Sequence, residues 1–170
     1  MRSVIVSDLH SNDSAVRTVL SFVQRKRFDQ MVCLGDFVGY GAEPNQILDR
    51  MRTVRTSKLY IRGNHDRVVA GIDDGAEFNQ VARTAALWTR GQLSKANAHF
   101  LKKLPEGPVQ DEMGVLFCHG SPVDEDEYLF TEYDAREISM QRRPPRSCSS
   151  GTRIFQLSSV SRGRERSRFD

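Results

Sequence analysis

Ser3-Val4-Ile5-Val6-Ser7-Asp8-Leu9-His10 opens the chain with a short β-branched apolar run that ends in a carboxylate and an imidazole. Such a run is typical of a buried strand. The same pattern, an apolar run followed by polar residues with glycine, occurs three more times. The later runs are Met31-Val32-Cys33-Leu34 before Gly35-Asp36, Lys58-Leu59-Tyr60-Ile61 before Gly63-Asn64-His65-Asp66, and Val115-Leu116-Phe117-Cys118 before His119-Gly120.

Helical patterns separate these predicted strands. The first helix has Val16, Val19, Leu20 and Val23 at helical spacing, with a cap at Asn12 or Asp13, and the second begins at Pro44 and carries Ile47, Leu48 and Met51. The third follows Asp74-Gly75 and has Val81, Ala85 and Trp88 on one face. The fourth is capped by Ser94 and ends near Leu104. Strands and helices alternate, so the predicted fold class is α/β. Beyond Met140 the periodicity ends.

The polar residues after the strands predict a metal site. Ligands of an open α/β sheet collect beyond the carboxyl ends of the strands, so the four blocks are expected to converge at one edge of the sheet. Carboxylate, imidazole and amide ligands suit Mn, Fe, Zn or similar divalent ions. A carboxylate such as Asp36 can bridge two ions, and Arg62 could hold phosphate oxygens in bidentate fashion.

Each of these residues also has a purely structural interpretation. A single histidine more often packs than binds a metal, and Asp8 or Asp36 alone could cap a helix or a turn. Three of the four histidines nevertheless come directly after strands, and only His99 lies in a helical stretch where packing is the better interpretation. The repetition of the same ligand types at every strand end favours the metal site.

In order and spacing, the four blocks resemble motifs of the calcineurin-like metallophosphoesterases, most of all the compact bacterial branch. They read Ser7-Asp8-Leu9-His10-Ser11-Asn12, Gly35-Asp36, Gly63-Asn64-His65-Asp66 and Cys118-His119-Gly120-Ser121-Pro122. The resemblance runs from about Val4 to Tyr133. It implies a β-sandwich flanked by helices and a pair of divalent metal ions that activate water to hydrolyse phosphate mono- or diesters.

The resemblance also implies a role for each residue. By position, Asp8 and His10 resemble ligands of the first metal, Asp36 resembles the bridging ligand, and Asn64 and His119 resemble ligands of the second. His65 resembles the residue that protonates the leaving group or steadies the transition state, oriented by Asp66. Arg62, expected to contact phosphate, is assigned from its position beside this site.

The final block of the family, Gly-His-x-His, has no counterpart, because no histidine follows His119. Each metal would therefore lack one ligand, and the activity is expected to be impaired. With suitable synonymous codons, a shifted reading frame across residues 150–156 reads Gly-His-Thr-His-Ile-Pro. We therefore expect a frameshift between about Ala135 and Ser147. Residues 1–140 are interpreted as an incomplete metallophosphoesterase domain, and residues 141–170 as an Arg/Ser-rich tail that is out of frame or disordered.

Charge and composition leave several alternatives open. Residues 1–140 carry 17 Lys and Arg against 20 Asp and Glu, whereas residues 141–170 carry eight Arg against two acids. The basic tail could bind nucleic acid, which is the less favoured interpretation because few aromatic residues accompany it. An inactive fold that binds metal, phosphate or a protein partner is a second alternative.

The expected substrates are phosphorylated small molecules, nucleotides or phosphoproteins, and the sequence does not select among them. Residues 124–127 are all acidic and are expected to form a solvated loop. The N-terminus has no signal-peptide pattern and no apolar run is long enough to span a membrane. The expected location is the cytoplasm, and the oligomeric state is left open.

Overall fold

The structure, a computed structural model, describes residues 2–141 and 154–155. Its helices are α1 (Asp13–Gln24), α2 (Pro44–Thr53), α3 (Asn64–Val69), α4 (Gln80–Gln92), α5 (Lys95–Lys102) and α6 (Glu132–Gln141). Its strands are β1 (Ser3–Val6), β2 (Gln30–Cys33), β3 (Ser57–Tyr60), β4 (Val109–Gln110), β5 (Leu116–Phe117) and β6 (Ile154–Phe155). Apart from β6, the predicted tail and its shifted motif lie outside the described residues. No helix among the described residues is long and apolar enough to cross a membrane.

The first sheet is parallel, with the strand order β1-β2-β3. Its register aligns Val6 with Cys33 and Cys33 with Tyr60, so the three strands end level with one another. The residues that follow each strand therefore emerge at one edge of the sheet. This confirms the predicted convergence for the first three polar blocks.

The fourth polar block belongs to a second sheet, which the strand pattern alone did not predict. There β4 pairs antiparallel with β5, and β5 pairs parallel with β6. The prediction of a single sheet edge is therefore wrong for His119, because β5 does not join β1–β3. His119 follows Phe117 out of the second sheet and reaches the same edge from the other layer.

Two apolar layers hold the sheets and helices together. Between the sheets, Val32, Leu34 and Ile61 pack with Phe117. On the other face of the first sheet, a larger cluster that includes Met31, Cys33 and Phe37 packs with residues of the helices. Side chains alternate across a strand, so β2 contributes side chains to both apolar layers, as expected for a central strand buried on both faces. The α/β class and the metallophosphoesterase-type β-sandwich flanked by helices are confirmed.

The predicted helix signals are largely confirmed. The side chain of Asn12 caps α1, Pro44 occupies the first turn of α2, and Ser94 caps α5. The predicted face of α4 is wrong, because Val81 is 71% exposed and the buried row begins instead at Ala82. Small residues in that row let the helix approach its neighbours closely, which outweighs the larger apolar side chains one position away.

Candidate metal centre

Backbone hydrogen bonds join the loop after β1 to the loop after β2. The amides of Asp8, His10 and Ser11 donate to the carbonyls of Gly35, Asp36 and Phe37 at 3.1, 2.9 and 3.0 Å. Of the six non-glycine residues with positive φ in the described chain, Asp8, His10, Ser11, Asp36 and Tyr40 all lie in these two loops. Such conformations are costly and are concentrated at functional sites. The ladder of hydrogen bonds holds the loops in this geometry.

Asp66 joins the loop after β2 to the loop after β3. Its carboxylate accepts hydrogen bonds from the amides of Phe37 and Val38, both at 3.2 Å, and of Gly63 at 3.1 Å. Burial, and then the charge of Asp36, raises the pKa of Asp66 to about 7. The loops also approach too closely for a side chain at Gly63, where a Cβ would lie 2.6 Å from the Asp36 amide nitrogen.

Asp36 lies at the centre of the site. Its Oδ2 atom is 3.7 Å from the Nε2 atoms of both His10 and His119, and the Nε2 atom of His10 is also 3.7 Å from Asp8 Oδ1. Burial, and then the nearby charge of Asp8, raises the pKa of Asp36 well above its usual range. A buried carboxylate beside a second carboxylate is stabilised by a cation.

The histidines are oriented as metal ligands. Nδ1 of His119 is 2.8 Å from the carbonyl oxygen of Leu34, and Nδ1 of His10 is 3.3 Å from that of Val38. When a backbone carbonyl takes the proton of Nδ1, the lone pair of Nε2 is free for a metal. In both rings that Nε2 atom is the one close to Asp36, so the donor set fits divalent metal ions.

Asn64 and His65 adjoin the same carboxylate. The amide of His65 donates to Asp36 Oδ1 at 3.0 Å and to Asn64 Oδ1 at 2.9 Å, so the two side-chain oxygens share one donor. Ligand atoms of His10, Asp36 and His65 lie within 4.8 Å of one another, which makes them a group able to hold a metal ion. The structure thus brings Asp8, His10, Asp36, Asn64, His65 and His119 together.

The His65 ring is enclosed by other rings. Its centroid lies 4.6 Å from Tyr40, 4.7 Å from Phe78 and 5.0 Å from His10. Burial, and then the charges of His10 and His119, lowers the pKa of His65 to about 4. Asp66 binds backbone amides and makes no hydrogen bond to this ring, whose buried Nδ1 has no hydrogen-bond partner in the described structure. Any orienting effect of Asp66 on His65 therefore acts through the loop.

Comparison with known proteins identifies the family. The sequence model of the calcineurin-like phosphoesterases matches residues 1–157. The chain belongs to the calcineurin-like phosphoesterase family. An uncharacterized protein of Methanocaldococcus jannaschii is 36% identical over 133 residues, which cover 76% of this chain and 54% of that protein. Members of the family bind divalent metals, in agreement with the donor set of this chain.

Two solved structures resemble this calcineurin-like phosphoesterase. A metallophosphoesterase from Sphaerobacter thermophilus has 34% identity and a TM-score of 0.68, with 85% of this chain and 58% of that chain covered. A hypothetical protein from Pyrococcus horikoshii has 18% identity and a TM-score of 0.72, with 82% and 64% covered, and it shares the fold. The chain therefore spans between half and two thirds of the length of these relatives.

An ion-pair network lies beside the candidate metal centre of this family member. Arg62 donates from Nε and Nη2 to the carboxylate of Glu125 at 3.2 and 3.3 Å, and from Nη2 to Glu106 at 2.7 Å. Arg67 donates to Glu125 and Asp126, both at 2.6 Å. The network therefore joins the Asn64–His65 segment to the loop after His119, and Arg62 is largely occupied by carboxylates.

Several residues around the candidate metal centre were not predicted from the sequence. Glu125 was expected in a solvated loop, yet it is 7% exposed between two arginines. Tyr40 and Tyr128 are half-exposed; Tyr40 packs against His10, and burial, followed by the charges of Asp36 and Asp8, raises the pKa of Tyr128. The clue for Tyr40 is its position between Gly39 and Gly41 directly after the Asp36 block. For Glu125 no local pattern distinguishes it from its acidic neighbours.

Proposed function

We propose that the protein is a metal-dependent phosphoesterase that hydrolyses phosphate mono- or diesters with two divalent metal ions. The observation that carries the proposal is the position of Asp36 Oδ2, equidistant at 3.7 Å from the Nε2 atoms of His10 and His119. A buried carboxylate between two imidazoles is the arrangement expected of a bridging ligand.

The donors divide into two sets that share Asp36. Asp8, His10 and Asp36 would hold one ion, and Asp36, Asn64 and His119 the other. When bound, such a pair of ions supplies Lewis-acid activation of water and neutralises the charge of the phosphoryl group. The proposal requires Asn64 to turn its amide oxygen from the His65 backbone amide toward the ion.

His65 is proposed to assist the leaving group. Its surroundings favour a neutral imidazole, since the pKa is lowered to about 4 by burial and neighbouring imidazoles. A neutral ring still donates one N–H hydrogen bond, which can steady negative charge that develops on the ester oxygen. Asp66 supports this role by fixing the loop from which His65 projects, because it binds the amide of Gly63.

Arg62 is proposed to bind the carboxylates of the ion-pair network and, in addition, a phosphate oxygen of the substrate. Its Nε and Nη2 atoms bind Glu125 and Glu106, whereas its Nη1 atom makes no hydrogen bond in the described structure. A single N–H donor toward a phosphate oxygen is therefore compatible with the network, but the bidentate contact expected from the sequence is not. Phosphorylated small molecules, nucleotides and phosphoproteins are the proposed substrate classes.

The experiment is hydrolysis of p-nitrophenyl phosphate and bis-p-nitrophenyl phosphate with added Mn²⁺, against the Asp36→Asn variant. Metal-stimulated turnover that the variant loses supports the proposal and shows which ester type is preferred. Glu106→Gln is the matched control, because this acid is exposed and lies outside the donor set. Turnover that persists in Asp36→Asn would contradict the proposed site.

A protein that binds metal or phosphate without turnover is the second candidate. It is favoured by the donor count, because the two sets give each ion only three protein ligands. Calorimetric titration with Mn²⁺ separates the candidates. Metal binding that Asp36→Asn weakens, with no hydrolysis of either ester, would support the second candidate over the first.

A further inference from the structure

A cavity of about 600 Å³ lies at the opposite edge of the parallel sheet from the metal centre. Its lining comes from α1, from the turn before β2 and from the connection between α2 and β3. These segments precede their strands, whereas the metal ligands follow them. Four-residue strands separate the two edges by roughly 13 Å. We call this cavity the basic pocket, for the four arginines that line it: Arg17, Arg27, Arg50 and Arg55.

The described residues balance the charge of the basic pocket only in part. None of the described acidic residues lines the cavity, and Asp13 compensates one arginine through its ion pair with Arg50, at 2.6 and 2.8 Å. Arg17, Arg27 and Arg55 are exposed and make no side-chain hydrogen bond or ion pair within the described residues. Several guanidinium groups directed at one concave space repel one another and attract an anion.

The rest of the lining points to a ligand with an apolar part as well as a charge. Leu20, Phe28 and Val54 form an apolar wall, and Thr56 lines the cavity with a buried hydroxyl that has no hydrogen-bond partner in the described structure. A buried polar group without a partner is costly, and a bound ligand would satisfy it. The volume lies within the range of small-molecule sites.

We propose that the basic pocket binds a phosphate-bearing small anion of nucleotide size. Its phosphates contact Arg17, Arg27 and Arg55, and its planar apolar part lies against Phe28. Planar guanidinium groups bind phosphate oxygens in bidentate fashion, which suits a polyphosphate better than a single carboxylate. The site is separate from the proposed phosphoesterase centre and is independent of metal.

The test is isothermal titration calorimetry of the full chain with ATP at low salt. EDTA is present throughout, because it prevents metal-mediated binding of ATP at Asp36. We expect one ATP per chain, with affinity at least about tenfold weaker in the double variant Arg17→Ala/Arg55→Ala, since charge-assisted hydrogen bonds contribute roughly a factor of ten each. The control double variant Arg83→Ala/Arg136→Ala removes the same charge elsewhere and should change affinity by less than about twofold.

Four results would overturn the proposal. The first is no binding of ATP by the wild-type chain at millimolar concentration. The second is an equal loss in the two arginine double variants, which would mean unspecific attraction. The third is a loss in Asp36→Asn with none in Arg17→Ala/Arg55→Ala, which would place ATP at the metal centre. Tripolyphosphate must bind more weakly than ATP, because equal affinity contradicts the role of the apolar wall. A thermal melt of each variant checks folding, and Arg55→Glu, which changes the charge by the same two units at a single exposed position, should also weaken ATP binding at least about tenfold.

Discussion

The two edges of the parallel sheet collect ionisable side chains of opposite sign. At the metal edge, formed by the loops after β1–β3 and the His119 loop, Asp8 and Asp36 lie beside the imidazoles of His10 and His119. At the other edge, four arginines line the basic pocket, and among the described residues only Arg50 of the four forms an ion pair, with Asp13. A protein that only needed to fold could have paired these charges. Their separation teaches that both edges are suited to ligands, one to cations and the other to anions.

The edges also differ in how rigidly they are built. Five of the six non-glycine residues with positive φ lie at the metal edge, and only Arg27 lies at the basic pocket. At the metal edge, backbone amides and the Asp66 carboxylate join one loop to the next. In the basic pocket, three arginines are exposed and unpaired within the described residues. The metal edge is thus arranged before its ligand arrives, whereas the arginines must become ordered around theirs.

The largest expected effect comes from Asp36→Asn. We expect hydrolysis to fall by about 1,000-fold, because metal activation contributes several kcal/mol and each 1.4 kcal/mol is a tenfold change. In EDTA the same variant should melt at a higher temperature than the wild type, since it removes a buried carboxylate whose pKa burial and Asp8 raise. Differential scanning fluorimetry in EDTA and in Mn²⁺ measures the melting temperatures of the wild type and the variant, and the hydrolysis assay measures the loss of turnover. A lower melting temperature in EDTA would mean that Asp36 stabilises the fold without metal.

The next effect concerns the shifted reading frame predicted from residues 150–156. Sequencing the coding DNA from the Glu137 codon onward should reveal Gly-His-Thr-His in another frame. We expect the protein made from that frame to bind Mn²⁺ about 10–100-fold more tightly, because each ion would gain a ligand. Titration with Mn²⁺ of both proteins makes the comparison. If no frame encodes the motif, the frameshift hypothesis is wrong and the present donors are the native set.

A smaller effect is expected from Glu125→Gln, which weakens the network between the Asn64 segment and the His119 loop. The buried carboxylate accepts from both Arg62 and Arg67, so its neutralisation should cost about 2 kcal/mol of unfolding free energy. It should also lower kcat more than it raises KM, because His119 is displaced. Glu106→Gln is the control, since Glu106 is 61% exposed and forms an ion pair only with Arg62 among the described residues. Equal effects of the two variants would rule out a specific role for Glu125.

Much of the fold and site could be predicted from the sequence, because strand ends and ligand types are local signals. The three parallel strands, the caps at Asn12 and Ser94, and the convergence of Asp8, Asp36 and Asn64 follow from short patterns. A strand of two residues such as β4 is too short to give a pattern at all. The second sheet followed from the resemblance to the family and not from periodicity.

The features that could not be predicted from the sequence depend on contacts between residues that are far apart in the chain. Glu125 differs from its acidic neighbours only because Arg62 and Arg67 reach it from another loop. The exposed Val81 shows that close helix packing can prefer small residues over large apolar ones. The basic pocket is formed by three separate segments, and no local pattern distinguishes its four arginines. These arginines come together only in the folded chain, and no local sequence pattern predicts their proximity.

The smallest expected effect sharpens the contrast at the basic pocket itself. Arg50, through two short hydrogen bonds, lowers the pKa of Asp13, so the ionised carboxylate stabilises the fold. This stability is present above the unfolded pKa near 3.9 and is lost as the pH falls through the lower folded value. Asp13→Asn should therefore cost about 1 kcal/mol at pH 7, discounted for the partly exposed Arg50, and less at about pH 3, which lies below the unfolded pKa.

The same substitution should tighten ATP binding in EDTA by about two- to threefold, because it removes the acid that partly neutralises the pocket. Asp49→Asn is the control, since its ion pair with Arg52 is exposed and lies on the helix surface. Chemical denaturation at the two pH values and calorimetry at pH 7 provide the measurements. Stability and affinity must change in opposite directions. If Asp13→Asn weakens both, the carboxylate orders Arg50 for the anion instead of competing with it, and the pocket is preformed like the metal edge.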